Sequence, residues 1–207
     1  MNPGPQSVLD CYKSISSPSK GIYKDKGSKF LSFAFPVETE DQVKSIIDNL
    51  RKEYFDARHH CYAWRLGPQG ERWRANDDGE PSSTAGKPIY GQILSNNLSD
   101  ILIVVVRYFG GILLGTSGLI VAYKSASADA IANASVVEKI ATARYRIEFD
   151  YSQMNAVMKC LKDFHISPRN TIFDNLCSLE VDIRLGRLNE FTEYLRVKCV
   201  IFEPEGR

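Results

Sequence analysis

The chain has 207 residues, of which 43% are hydrophobic and 11% aromatic, so it is long enough to form one large domain or two smaller ones. Its formal net charge is +1, with positive and negative residues balanced along the chain, which excludes a polybasic nucleic-acid arm and an acidic tail. Five cysteines without a C-x-x-C pair argue against a disulfide framework and a zinc site, and the absence of a signal segment predicts a cytoplasmic protein.

Strand and helix patterns alternate in the first part of the chain. FLSFAFPV (30–37) is aromatic and partly alternating, which predicts a strand. After it, apolar residues recur at helical spacing, which predicts an amphipathic helix capped near Thr39 or Glu40. HHCYAWRL (59–66) predicts a second strand, and the polar, glycine-rich residues 67–88 predict a long loop.

The middle of the chain predicts a buried strand between two helices. A short helix is expected at 88–96, because Pro88 suits a first helical turn. ILIVVVRYF (101–109) is continuously apolar, as in a strand that is buried on both faces. GGILLGTSG (110–118) predicts a turn, and residues 119–135 predict a helix with a stripe of alanines spaced four apart.

The last third of the chain has the element order βαββαβ. Its first helix is expected to be capped by Ser152, and two of its strands meet at a turn near Asp174 and Asn175. This is the order of the ferredoxin-like split βαβ unit. We therefore predict an α+β protein with two domains. The predicted divisions are a flexible arm at 1–20, a mixed α and β domain at 21–139 and a ferredoxin-like domain at 140–205.

A polar loop, DDGEPSSTAGKP (77–88), has a composition that neither a core helix nor a core strand would carry. Its acids Asp77, Asp78 and Glu80 could hold Mg²⁺, which favours carboxylate oxygens. Acids and hydroxyls in a stretch rich in glycine and proline equally build turns by bonding their own backbone. The sequence leaves both alternatives open, and it assigns no catalytic residue, cofactor or metal site.

Positive charge and free backbone amides are expected close to this loop. Lys87 lies at the start of the next helix, where a lysine beside free amides suits an anion. Arg107 lies at the carboxyl end of the buried strand, and ligands of open α/β sheets bind at such strand ends. The glycine spacing in the turn at 110–118 matches neither the Walker A motif nor the dinucleotide-binding motif. The turn therefore either permits close packing or binds an anion through its backbone amides. The residues predicted to bind an anion or another ligand are Arg58, His59, His60, Thr84, Gly86, Lys87, Arg107, Gly110, Gly111, Gly115, Thr116 and Ser117.

Two other groups of residues have more than one interpretation. His59 and His60 point to opposite faces if their segment is a strand, so they cannot bind one metal ion together. Arginines alternate with tryptophans at 64–65 and 72–74, a pairing that single-strand nucleic-acid binders use. On so short a stretch we prefer the alternative of a solvated hairpin.

Three segments together resemble the IMPACT family in its bacterial branch: DARHHCYAW (56–64), DDGEPSSTAGKPI (77–89) and VVVRYFGGILLGTSGLIVAY (104–123). The resemblance runs from about Lys26 to residue 138, and the βαββαβ segment resembles the second domain of that branch. It implies a first domain with the ribosomal-protein S5 domain 2-like fold and a ferredoxin-like second domain. Translocation factor G, which works on the ribosome, ends in the same two folds in the same order.

The resemblance also implies a function, because eukaryotic members of the family act in translational control during amino-acid starvation. We expect a translation-associated regulatory protein that binds RNA, the ribosome or a translation-control protein through an anion-binding cleft. One alternative is a Mg²⁺-dependent enzyme or binder of a nucleotide or phosphorylated small molecule. Another alternative is a protein-interaction module. No membrane contact is expected for any of these functions.

Overall fold

The structure, a computed structural model, describes residues 11–196 and the backbone of residues 201–204. The described chain divides into two units, one of Tyr12–Lys139 and one of Cys11 with the residues from Ile140 onward. Helices and strands occur in both units, so the chain has the mixed α and β structure that the sequence predicts. Among the described helices, none has the length and apolar character that crossing a bilayer requires.

The first unit is built from a run of strands interrupted by three helices. The strands are β1 (Cys11–Ile15), β2 (Ser19–Asp25), β3 (Ser28–Pro36), β4 (His59–Leu66), β5 (Arg72–Asn76), β6 (Ile101–Tyr108) and β7 (Val136–Ile140), and the helices are α1 (Glu40–Glu53), α2 (Gly86–Ser95) and α3 (Gly115–Ala132). The first residue of β1, Cys11, and the last residue of β7, Ile140, belong to the second unit.

A five-stranded antiparallel sheet with the strand order β2-β3-β6-β4-β5 forms the centre of this unit. Helices α2 and α3 pack on one face of the sheet, and α1 packs on the other. The central strand β6 is therefore covered on both faces, and Ile101–Val106 are fully buried. This burial explains the continuous apolar run, although the strand lies in an antiparallel sheet rather than a parallel one.

Helix α1 begins where its cap is predicted. Thr39 accepts a hydrogen bond from the Gln42 amide, and the Gln42 side chain accepts bonds from the amides of Glu38 and Thr39. This reciprocal capping box satisfies backbone donors that a helix start leaves free. Val43, Ile47 and Leu50 then form the buried face.

Several predictions for the first unit are wrong in detail. The predicted loop 67–88 contains β5, which pairs with β4 as a hairpin and begins five residues into the loop. Helix α2 begins at Gly86 rather than Pro88, and α3 begins inside the predicted turn. Within the predicted arm, residues 11–15 form β1, which pairs with β7, and residue 19 opens β2. Residues 1–10 lie outside the described part of the chain.

The second unit has the predicted element order βαββαβ. Its elements are β8 (Thr142–Asp150), α4 (Met154–Asp163), β9 (Arg169–Ile172), β10 (Leu176–Arg184), α5 (Leu188–Arg196) and β11 (Ile201–Pro204). The sheet is antiparallel, with the strand order β11-β8-β10-β9, and its buried side chains pack with those of α4 and α5.

Helix α4 is preceded by a 3₁₀ turn, Tyr151–Gln153, which changes its predicted start. Gln153 accepts a hydrogen bond from the Asp150 amide, so the capping box is formed by Asp150 and Gln153 and not by Ser152. The predicted end of the second helix, the predicted start of the last strand and residue 205 lie outside the described residues.

Candidate functional site

Asp77 organises the polar loop through its carboxylate. Its Oδ1 accepts hydrogen bonds from the amides of Ala85 and Gly86 at 3.0 and 2.8 Å, and its Oδ2 accepts one from the Ser83 amide at 2.8 Å. These donors include the first amides of α2, where negative charge is favourable. Gly86 is required at this start, because a Cβ there would lie 2.6 Å from the Asn76 amide nitrogen.

Asp78 ties the same loop to the sheet and to α1. Its Oδ2 accepts a hydrogen bond from the His60 amide at 2.7 Å, and its Oδ1 accepts one from the Arg51 guanidinium at 2.8 Å. The Asp78 carbonyl oxygen lies 2.8 Å from His59 Nδ1. Because a carbonyl oxygen can only accept, Nδ1 is the donor of this hydrogen bond.

Glu80 is a buried carboxylate in the first part of this loop. Its Oε1 accepts a hydrogen bond from Arg107 Nη1 at 2.5 Å and another from the Tyr123 hydroxyl at 2.8 Å. His59 Nε2 lies 4.0 Å from the same oxygen. Glu80 therefore connects the loop with β6, α3 and β4.

Cys61 extends this network but is not an activated nucleophile. Its sulfur lies 3.2 Å from the Tyr123 hydroxyl oxygen and 3.0 Å from the Asp77 carbonyl oxygen. Burial, together with the carboxylate of Glu80 nearby, raises the pKa of the Cys61 thiol, and burial also raises the pKa of the Tyr123 hydroxyl. Both groups are protonated at neutral pH, which suits hydrogen-bond donation and not thiolate chemistry.

The two histidines lie on opposite faces of β4, as side-chain alternation predicts. His59 lies on the α2 and α3 side, where it faces Glu80. His60 lies on the α1 side, opposite Val106 of β6. Burial lowers the pKa of His60, and its Nε2 is buried without a partner.

A cavity of about 240 Å³ opens beside the Glu80–Arg107 pair. Arg58, His59 and Arg107 form its polar wall, and Phe109 and Leu113 form its apolar wall. The Arg107 charge is offset by Glu80, whereas no carboxylate lies within 4.0 Å of Arg58 in the described part of the chain. The cavity therefore presents one uncompensated positive charge next to exposed apolar side chains.

The glycine-rich turn has a packing role at its first residue. The Gly110 amide donates to the Ser28 hydroxyl at 3.1 Å, and a Cβ at Gly110 would overlap the backbone of Gly27. Gly111 and Gly115 have positive φ angles of 88° and 70°, which favour glycine. Close packing thus explains Gly110, and backbone conformation explains the other two.

The structure brings together only part of the predicted set. Arg58, His59 and Arg107 share the cavity, but Lys87 is exposed on α2 and does not line it. The Thr84 hydroxyl is buried and donates to the Pro81 carbonyl at 2.6 Å, so it is used within the loop. The remaining two predicted residues, Thr116 and Ser117, are exposed in the first turn of α3.

The three loop acids face different partners and do not converge. Asp77 binds backbone amides, Asp78 binds Arg51, and Glu80 binds Arg107. Within the described residues, no group of three or more histidine, cysteine, aspartate or glutamate side chains is placed to hold a metal ion. The antiparallel sheet also removes the reason for expecting ligands at strand carboxyl ends, since that rule concerns parallel sheets.

The arginines and tryptophans at 64–65 and 72–74 form the β4–β5 hairpin. Trp64 is buried, and Arg65 donates to the carbonyls of Leu98 and Gln69. Trp73 is exposed and stacks on Tyr90, with 4.6 Å between ring centroids. The structure therefore supports the hairpin of the second alternative, with Trp64 in the core and Trp73 in solvent.

Sequence reasoning missed the residues that complete the cavity. Phe109 and Leu113 form its apolar wall. Tyr123 of α3 donates a hydrogen bond to the Glu80 carboxylate. The only sequence signal for the wall was a set of large apolar residues inside a turn flanked by glycines. Tyr123 had no such signal, because its partner is 43 residues away in the chain.

Comparison with known proteins identifies the family. Residues 26–131 match the Impact N-terminal domain. The chain is 31% identical over 182 residues to IMPACT family member YigZ of Escherichia coli, covering 87% of this chain and 89% of that protein. It is 30% identical over 188 residues to IMPACT family member YvyE of Bacillus subtilis, covering 91% and 87%.

A solved structure shares the fold of nearly the whole chain. A crystal structure of a hypothetical protein superposes with a TM-score of 0.73 at 28% sequence identity, covering 97% of this chain and 100% of that one. Together with the sequence matches, this likeness confirms the resemblance that the three motif segments indicate. The chain belongs to the IMPACT family.

Proposed function

We propose that this chain is a translation-associated regulatory protein that binds RNA, the ribosome or a translation partner through the cavity beside Arg107. The observation that carries the proposal is the cavity wall itself, which combines Arg58 with the buried Arg107. Family membership supports the biological setting, because the IMPACT resemblance implies a role in translational control.

The charge arrangement supports an anionic ligand group. Glu80 holds Arg107 in place, and the Arg107 Nε is buried without a partner. Arg58 then supplies the net positive charge at the entrance. Arginine is suited to this role, because its planar guanidinium can make two parallel hydrogen bonds to a phosphate or carboxylate.

The size of the cavity supports a group that projects from a larger partner. Sites for whole small molecules usually enclose about 300–1,000 Å³. This cavity encloses about 240 Å³, and Leu113 at its edge is 82% exposed. A phosphate or an acidic side chain fits such a site better than a complete nucleotide does.

We also propose specific folds for the two units. The first would be ribosomal-protein S5 domain 2-like and the second ferredoxin-like, as in the last two domains of translocation factor G. The element order βαββαβ and the strand order β11-β8-β10-β9 support the second assignment. A likeness of fold alone is a weak argument for function, so the function has to be tested by binding.

The test is co-sedimentation of the protein with ribosomes and with total RNA across a salt series. Arg58→Gln removes the uncompensated charge at an exposed position, and Lys87→Gln is the matched control because Lys87 lies outside the cavity lining. We expect binding that weakens steeply with salt, is lost in Arg58→Gln and is retained in Lys87→Gln. Equal binding by wild type and Arg58→Gln would contradict the proposal.

A protein-interaction module is the second candidate function. Phe109, Ile112 and Leu113 are 48%, 57% and 82% exposed on one glycine-flanked turn, which is an unusual density of large apolar side chains on a surface. Interfaces often combine such residues with arginine. Binding that is insensitive to salt but lost in Leu113→Ser would favour this candidate over RNA.

A further inference from the structure

The second unit contains a larger cavity that the proposed function does not use. It encloses about 430 Å³ and lies where α4 ends and where β10 gives way to α5. Phe164, Ile166 and Ile183 contribute apolar walls, and the exposed Ile140 lies at the entrance. Its volume is within the range of sites that take a small organic molecule.

Three arginines and one aspartate line the same cavity. The arginines are Arg169, Arg184 and Arg187, and the acid is Asp182. Asp182 is already paired on both oxygens, because Arg144 Nε lies 2.9 Å from Oδ1 and Arg169 Nη1 lies 3.1 Å from Oδ2. Asp182 therefore offsets the charge of Arg169, and the net charge of the cavity comes from Arg184 and Arg187.

Arg184 and Arg187 have only weak partners within the described chain. The Arg184 guanidinium lies 4.0 Å from the Cys11 sulfur and has no carboxylate within ion-pair distance in the described residues. Arg187 stacks over the Phe164 ring at 4.4 Å, and its Nε lies 3.4 Å from the exposed Glu190 carboxylate. Stacking holds the Arg187 guanidinium flat while its edge stays available to a ligand.

We propose that this cavity binds an organic phosphomonoester. Two arginines without strong carboxylate partners match the double negative charge of such a group, and each can donate two hydrogen bonds to its oxygens. Phe164, Ile166 and Ile183 would then cover an apolar or aromatic body. The ligand chemistry is a phosphate head on a small apolar group, which the first cavity is too small to enclose.

The test is calorimetric titration of the full chain with phenyl phosphate. The Arg58→Gln variant is the reference protein, so that the cavity of the first unit does not contribute to the signal. In this background we expect Arg184→Gln to weaken phenyl phosphate binding by about tenfold or more, since it removes charge-assisted hydrogen bonds. Arg196→Gln, an exposed change on α5 outside the cavity lining, should leave the affinity unchanged.

A second comparison tests the apolar part of the site. Ile140→Ala should weaken phenyl phosphate binding and leave inorganic phosphate binding unchanged, because only the former has a body to bury. Benzenesulfonate, which carries one charge, should bind more weakly than phenyl phosphate. Absence of saturable phenyl phosphate binding, or equal affinity in Arg184→Gln and its reference protein, would overturn the proposal.

The phosphate could belong to a free small molecule or to the end of a nucleic-acid strand. A 5′-phosphorylated trinucleotide and the same trinucleotide without its phosphate separate these sources as competitors of phenyl phosphate. Competition by the phosphorylated strand alone would support a strand end as the ligand. Competition by neither strand, with phenyl phosphate still bound, would support a free phosphomonoester.

Discussion

Glu80 Oε1 lies 2.5 Å from Arg107 Nη1, and the two side chains are only 3% and 8% exposed. This pair joins the polar loop to the end of β6 and holds the guanidinium at the wall of the first cavity. Tyr123 donates to the same carboxylate oxygen, so Glu80 is satisfied from two directions. A buried charge of this kind depends on its partners, because each ion alone would be costly to remove from water.

Removal of one partner of this pair should destabilise the protein strongly. We expect Glu80→Ala to lower the free energy of unfolding by about 3–5 kcal/mol, because Arg107 would be left as an uncompensated buried charge. Urea unfolding monitored by circular dichroism measures the change. Arg51→Ala, which breaks the more exposed pair with Asp78, should cost no more than about 1 kcal/mol. A similar small loss in both variants would contradict this prediction.

Asp77 should matter through backbone amides and not through a metal ion. We expect Asp77→Ala to lower the free energy of unfolding by about 2–5 kcal/mol, since the amides of Ser83, Ala85 and Gly86 lose a charged acceptor. Hydrogen exchange at these three amides should become faster. Asp174→Ala is a suitable control, because Asp174 accepts one exposed amide, and unchanged exchange in Asp77→Ala would show the prediction to be wrong.

Two glycines should respond to alanine in opposite directions. Gly110→Ala would place a Cβ against the backbone of Gly27 and Ser28, so we expect a loss near the upper end of the ~1–3 kcal/mol typical of overpacking. Gly91→Ala meets nothing within 4 Å inside α2, so we expect a gain of about 0.5–1 kcal/mol from helix propensity. Thermal unfolding of both variants measures the difference, and tolerance of Gly110→Ala would refute the close packing.

His60 should make stability depend on pH in the mildly acidic range. Burial lowers its pKa in the folded state below the ordinary value of 6.5, so the unfolded chain takes up the proton first as the pH falls. The free energy of unfolding should therefore decrease from pH 6.5 downwards until the folded-state pKa is reached. Urea unfolding of wild type and His60→Gln at pH 7.5 and 5.5 tests this, and an equal pH dependence in the two proteins would exclude His60 as the cause.

The elements that the sequence predicted correctly are those whose capping residues and apolar spacing lie within a single helix or strand. The capping box at Thr39 and the apolar face of α1 lie within one helix, and β6 is apolar over Ile101–Val106 because both of its faces are covered. The long-loop prediction for 67–88 missed β5 because RWRAN lies at the sheet edge, where charged residues remain in water. The hairpin alternative for 64–65 and 72–74 did include this strand. Strands β1 and β7 were missed because they pair with each other across more than a hundred residues.

The sequence by itself determined the family, the alternation of helices and strands and the presence of a polar loop at 77–88, because these depend on residues close together in the chain. Only the tertiary structure decided that Asp77, Asp78 and Glu80 face three different partners, that Lys87 lies outside the first cavity, and that Tyr123 belongs beside Glu80. The physical reason is that the partners of buried charges are selected by the packing of distant segments, which no local pattern records.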